Sequence, residues 1–319
     1  MKIPVILQSY KTNSVFNINK NRNVCFSKSV DNTDSFVRNP YRILLYEGDN
    51  FKIDGYNKLT TNEKDKIDND APIEIKEDAD MNFEVGKIFK KALDEKYGEN
   101  NYIFECIGTS PAPIGRFLEF SGVEVHYLPI SGLKSFPTQM KLKFYAKEKG
   151  VEEYGKFLAS QGIDKDITKN TDKKILFYDF TETGSSLVAF KNILSKTYGV
   201  PVDDKQIEFR SLNKDLEKCL DEEYRKILKD KSIKSKEIEK TKLNLLINGY
   251  ISYFLFSCNA EQYGDIPHLM YDELASIFDK TKKSSFVDYK KERYFNFRTM
   301  YKLEKEGLLK DNLANKVSL

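Results

Sequence analysis

Tryptophan is absent from this chain of 319 residues, histidine occurs twice and cysteine four times. With only His126 and His268 available, a histidine-rich metal centre is excluded. The cysteines, Cys25, Cys106, Cys219 and Cys258, are far apart in sequence. No pair has the close spacing that holds zinc or runs dithiol exchange. Cys106 lies in an apolar run and reads as a buried thiol. Scattered thiols fit a reducing, cytoplasmic compartment, and four of them also allow two disulfides. No run reaches the roughly 18 apolar residues of a membrane span. The most apolar stretch, residues 243–258, carries Asn244 and Asn248 and reads as a buried helix. The apolar start, residues 3–7, is too short for the core of a signal peptide. Charge of one sign is also lacking: 52 basic residues face 49 acidic ones, a net of +3. That balance calls for neither a nucleic acid nor a membrane partner. No internal repeat is present.

Apolar residues make up 40% of the chain, and 19 Tyr and 22 Phe supply its aromatics. A chain of this size and composition can bury a substantial core. Residues 1–80 alternate short apolar pieces with Asn-, Asp- and Lys-rich stretches, and residues 59–80 are mostly charges and turn formers. They read as an irregular N-terminal extension. From Met81 the pattern becomes regular. Phe83, Val85, Ile88, Phe89, Ala92 and Leu93 recur at helical spacing. Strand-like runs follow at 102–107, 123–130, 175–178 and 206–212. Helical patterns separate them at 114–120, 137–149, 151–161 and 185–198. Alternation of this kind predicts a parallel sheet with crossover helices, an α/β domain over residues 81–212. Residues 213–319 read as a helical C-terminal region, with helices at 214–229, 237–257, 268–279 and 286–305.

Two strand ends carry unusual loops, and ligands of open α/β sheets bind beyond the carboxyl ends of strands. In the first, an apolar strand delivers Tyr178-Asp179, followed by Phe180-Thr181-Glu182-Thr183-Gly184-Ser185-Ser186. Gly184 lets the backbone approach a ligand. Thr183, Ser185 and Ser186 offer hydroxyls. The helix that follows presents N–H groups without intrahelical partners, and its dipole favours a phosphate. In the second, Phe104 to Ile107 run into Gly108-Thr109-Ser110-Pro111, with Arg116 early in the next helix. Gly108, Thr109 and Ser110 are candidate donors and Arg116 a candidate charge. Plainer roles stand beside these. Asp179 and Thr183 are ordinary helix caps, Glu182 is a solvated acid, Thr109 and Ser110 are turn formers, Arg116 is a surface helix residue and His126 is a structural strand residue.

The loop at 178–186 resembles the PRPP-binding motif of type I phosphoribosyltransferases: an apolar strand, two acids, three variable positions, then Thr-Gly-x-Thr/Ser. The resemblance spans roughly residues 85–212. It implies a phosphoribosyltransferase-like parallel sheet flanked by helices. Asp179 matches the second acid, which contacts ribose hydroxyls. Glu182 matches the acid that some purine enzymes of the family use on the base. Thr181 falls in the variable stretch. Thr183, Gly184, Ser185 and Ser186 match the loop around the 5′-phosphate. The upstream turn at Gly108, Thr109 and Ser110, with Arg116, matches the pyrophosphate-holding loop. Lys134 falls where the family has a mobile flap. Tyr178 departs from the motif, standing where the first acid belongs. A phenol can hydrogen-bond ribose but brings no charge at neutral pH.

The resemblance implies a glycosyltransferase acting at ribose C1′ on PRPP or a nucleotide, with Asp179 and Glu182 as catalytic acids. Mg²⁺ would come bound to the ligand phosphates. A homodimer is compatible with it. The missing acid leaves two alternatives open: a non-catalytic phosphoribosyl or nucleotide sensor, and a protein-interaction module.

Overall fold

The computed structural model describes residues 56, 57, 59–108, 110–128, 130, 148–181, 183–229 and 289–310. The helices expected at 137–149, 237–257 and 268–279, Lys134, His268, Cys25 and Cys258 lie wholly or largely outside these residues.

Four strands form one sheet: β1 (Tyr102–Ile107), β2 (Glu124–Leu128), β3 (Lys174–Asp179) and β4 (Ile207–Ser211). Their order is β2-β1-β3-β4, and each neighbouring pair is parallel. All six residues of β1 are buried, as expected of a central strand covered on both faces. The chain is therefore an α/β protein with a four-stranded parallel sheet flanked by helices, as the alternating pattern predicted.

Neighbouring residues of β3 show how the two faces are covered. Tyr178 stacks on Phe104 of β1, with ring centroids 4.7 Å apart. It also meets Phe89 edge-on at 5.6 Å. Phe89 belongs to α2 (Ile73–Tyr97). Phe177 points the other way. It stacks on Phe209 of β4 at 4.8 Å and meets Phe190 of α6 (Ser185–Tyr198) at 6.0 Å. Period-2 alternation thus divides one aromatic strand between two helical layers. On the second layer, Tyr154 of α4 (Glu148–Ser160) lies 6.1 Å from Tyr198. A one-turn helix, α5 (Ile167–Asn170), precedes β3.

On the first layer, α3 (Ala112–Phe120) comes down onto β1 and β2 through Gly115. A Cβ there would sit 2.6 Å from Cys106 Sγ and 3.1 Å from Tyr127 Cε1. Cys106 and Cys219 are free thiols, the former buried.

The expectation of an irregular segment through residue 80 is corrected. Residues 61–80 are helical: α1 covers Thr61–Asp70, and α2 begins at Ile73, eight residues before the expected start. Thr60 and Glu63 form a reciprocal capping box on α1, which satisfies two otherwise orphaned donors. On α2, Ile75, Ala79, Phe83, Phe89 and Leu93 are buried, a helical stripe.

The many charges of this segment find partners far along the chain, on α8 (Tyr289–Lys305). Arg298 grips Asp80 with Nε and Nη2 at 2.7 and 2.9 Å, and Nη1 reaches Asp68 at 2.5 Å. Lys64 Nζ pairs with Glu304 at 2.7 Å. Planar guanidinium-to-carboxylate pairing of this kind is stronger than ordinary surface pairing. Helix α7 (Leu212–Lys229) follows β4 directly.

Among the described residues, no helix is long and apolar enough to cross a membrane.

Filling the Gly115 contact tests this packing. Gly115→Val should lower the urea midpoint, with a stability loss of about 1–3 kcal/mol from overpacking. An unchanged midpoint would mean that α3 does not sit on β1 as described.

Candidate functional site

The strand order places the two unusual loops side by side. From β1 the chain goes outward to β2, then returns past β1 to β3 and on to β4. The direction of winding reverses between β1 and β3, and open α/β sheets bind ligands in the crevice outside the carboxyl ends of the strands at such a switch point. Cys106 is opposite Tyr178 in the register, so the loops after Ile107 and after Asp179 leave the same edge.

On the β1 side, Gly108 has φ +71. Its N–H donates to Leu128 O at 2.8 Å, and a Cβ would meet Ile130 O at 3.0 Å. Here glycine serves the close passage of the β1 and β2 exits. Ser110 is partly exposed. Thr109 lies outside the described residues.

On the β3 side, Asp179 is partly exposed at the strand tip. Its Oδ2 accepts a hydrogen bond from Ser186 Oγ at 2.6 Å. Ser186 is buried, so this bond ties the first turn of α6 to the strand end. Thr183 and Ser185 are exposed, and the Thr183 hydroxyl donates to Ser185 Oγ at 3.1 Å. Ser185 N–H in turn reaches Thr183 Oγ1 at 3.4 Å.

Gly184 occupies the N-cap position of the 14-residue α6 with φ +77, a left-handed conformation, and supplies no side-chain cap. An L side chain there would cost about 1–2 kcal/mol. Among the described residues other than its chain neighbours, nothing lies within 4 Å of the position of its missing Cβ. A helix start whose N-cap residue supplies no side-chain cap suits an anion or a hydroxyl-bearing ligand. Glu182 lies outside the described residues.

Three expected ligand residues are placed elsewhere. Tyr178 is fully buried, and its hydroxyl donates to Asp215 Oδ2 at 2.8 Å. It is core rather than a ribose contact, because its side chain points to a helix-covered face and not along the strand axis. Burial, helped by Asp215, pushes its phenol well above the ordinary value.

Arg116 is 3% exposed. Its Nη1 donates to Glu119 Oε2 at 2.7 Å, and its guanidinium lies 4.2 Å from the Tyr127 ring centroid. It is a buried ion pair inside the α3 layer, so neither the phosphate contact nor the surface-residue reading holds.

Thr181 is 1% exposed. Its N–H donates to Asn213 Oδ1 at 3.2 Å and its hydroxyl to Ser211 Oγ at 3.2 Å. It anchors the loop and offers little surface to a ligand.

His126 fits the structural reading. Its Nδ1 is 2.9 Å from Oε1 of the buried Glu105 on the adjacent strand.

The sequence reading missed the β4 end altogether. Arg210 binds Asp215 through Nε and Nη2 at 2.5 and 2.9 Å, and Nη1 reaches Glu208 at 2.8 Å. Glu208 also accepts from the Tyr97 hydroxyl at 2.7 Å. The same strand-end rule, applied to Arg210-Ser211-Leu212-Asn213, would have drawn attention to them.

The site so assembled has hydroxyls, a carboxylate and an open helix start. Among the described residues, no group of three or more His, Cys, Asp or Glu side chains could hold a metal ion. No family model, no curated protein and no solved structure matches this chain.

Tyr178→Phe should cost about 0.5–1.5 kcal/mol by denaturant unfolding, the value of one internal hydrogen bond. A loss near zero would remove the Tyr178–Asp215 contact from the core.

Burial alone would raise the Glu208 carboxyl, but hydrogen bonds from Tyr97 and Arg210 outweigh it and hold the group below its ordinary 4.5. A lowered folded value means stability that is present above pH 4.5 and lost as pH falls through that lower value. Glu208→Gln should flatten the acid limb of a stability-against-pH curve. An unaltered limb would show that Glu208 is not held low by these partners.

Proposed function

We propose that the β1/β3 crevice binds a phosphorylated ribose, as PRPP or a nucleotide, and that the chain is a phosphoribosyltransferase-like protein. The reading rests chiefly on one observation: Gly184, left-handed and with no described residue beyond its chain neighbours within 4 Å of its missing Cβ, starts α6 at the carboxyl edge of the sheet. Main-chain donors at such a helix start can hold a phosphate without any basic side chain. Thr183 and Ser185, both exposed, add hydroxyls. The partly exposed Asp179 would meet the sugar hydroxyls while Ser186 orients it. Mg²⁺ would enter with the ligand phosphates, which supply most of its oxygens.

Transfer at C1′ builds positive charge on the sugar, which nearby carboxylates would stabilise. In this reading Glu182 orients or deprotonates the incoming base. Where the family has a first acid, this chain has the buried phenol of Tyr178. That favours a second reading, a sensor that binds the phosphoribosyl group and does not turn it over.

Calorimetric titration of the whole chain with PRPP and Mg²⁺ should show saturable binding. Asp179→Ala should weaken it at least tenfold, with secondary structure retained by circular dichroism. No heat with PRPP, pyrophosphate or ribose 5-phosphate would end the proposal. Incubation with PRPP and a panel of purine and pyrimidine bases separates the readings: pyrophosphate release marks the enzyme, and binding without release marks the sensor.

A further inference from the structure

Asn213, the second residue of α7, is nearly sealed, with 8% of its surface exposed. Its Oδ1 accepts from Thr181 N–H at 3.2 Å and from Ser211 Oγ at 2.6 Å. A backbone N–H can only donate, so the oxygen must face Thr181 and the orientation of the amide group follows from chemistry. One side of this amide therefore clamps the first turn of the β3 loop to the end of β4. The other side, Nδ2, carries two N–H donors and makes no hydrogen bond among the described residues. Nor is that nitrogen fully shielded from solvent. Thr181 is only three residues before Gly184, and its hydroxyl bonds Ser211 at 3.2 Å. The exits of β3 and β4 are thus joined at this amide, on the edge that carries the proposed site.

A nearly buried amide with its acceptor side fully used and its donor side turned to solvent is poised to receive an oxygen. Resting on the phosphoribosyl reading, we propose that Asn213 is a further residue of that site. Its Oδ1 positions the loop, and its NH₂ donates to a phosphate or sugar oxygen of the bound ligand. Asp179 and the Gly184 turn grip the ligand from the α6 side; Asn213 closes on it from the α7 side. This residue lies beyond the resembled motif.

Asparagine, aspartate and alanine at this position separate the two roles. Asn213→Asp keeps an oxygen for Thr181 N–H and Ser211 but replaces the two donors with an acceptor. Asn213→Ala removes both. Amide hydrogen exchange at Thr181 reads the positioning role with no ligand present: protection should persist in Asn213→Asp and fall at least tenfold in Asn213→Ala. Unchanged exchange in the alanine variant overturns that role.

Titration of the full chain with PRPP and Mg²⁺ reads the contact. Asn213→Asp should bind at least tenfold more weakly than wild type. The ratio should survive at 1 M salt, where the screening length is about 3 Å and mere long-range repulsion is lost. Wild-type affinity in Asn213→Asp, or a ratio that collapses in high salt, overturns the contact. Wild-type protein that binds no PRPP overturns the contact, and if it binds neither pyrophosphate nor ribose 5-phosphate the phosphoribosyl reading falls with it, while the exchange result still decides the positioning role.

Discussion

Parallel pairing of β1 with β3 is the constraint on which the rest of this protein depends. It brings together strands separated by β2 and α4 in the chain. Because crossovers between parallel strands are right-handed, reversing direction at this pair sends successive connections to opposite faces. The same reversal leaves the carboxyl ends of β1 and β3 side by side. That adjacency is therefore a product of winding order. The residues at these strand ends, Gly108 on one side and Asp179 on the other, are near one another only because of that order.

The β3 strand shows how closely core and site share one stretch of chain. Consecutive residues go to the second helical layer (Phe177), the first (Tyr178) and the strand tip (Asp179). A motif read linearly treats Tyr178 and Asp179 as a pair facing one ligand. The pleat separates them, because only the residue that ends the strand is released from alternating between covered faces. Tyr178 then needs an internal partner for its hydroxyl, since a buried donor left unpaired is costly, and Asp215 provides it. Asp215 is in turn held by Arg210, so polar groups near the edge of the sheet form a connected set instead of isolated buried charges.

Long-range charge pairing plays a similar role at the start of the described region. A run of Asp, Glu and Lys between residues 59 and 80 looks like solvated, unstructured chain when read locally. Arg298 and Glu304, more than two hundred residues away, make it two helices packed against α8. The capping box at Thr60 and Glu63 was visible as a local signal, but the partners that make the charges worth ordering were not.

By itself the sequence determined the alternation of strands and helices, the four strand positions to within a few residues, and the loop at 178–186 as the place where a strand hands over to a helix. These are consequences of periodicity and glycine chemistry, which act over a few residues. Tertiary structure alone decided which of the candidate side chains are buried. It sent Tyr178 and Arg116 into the core, committed Thr181 to Asn213 and Ser211, and brought β4 and α7 to the same edge. Those outcomes depend on strand order and on which faces the helices cover, and neither is encoded within the reach of one turn of chain.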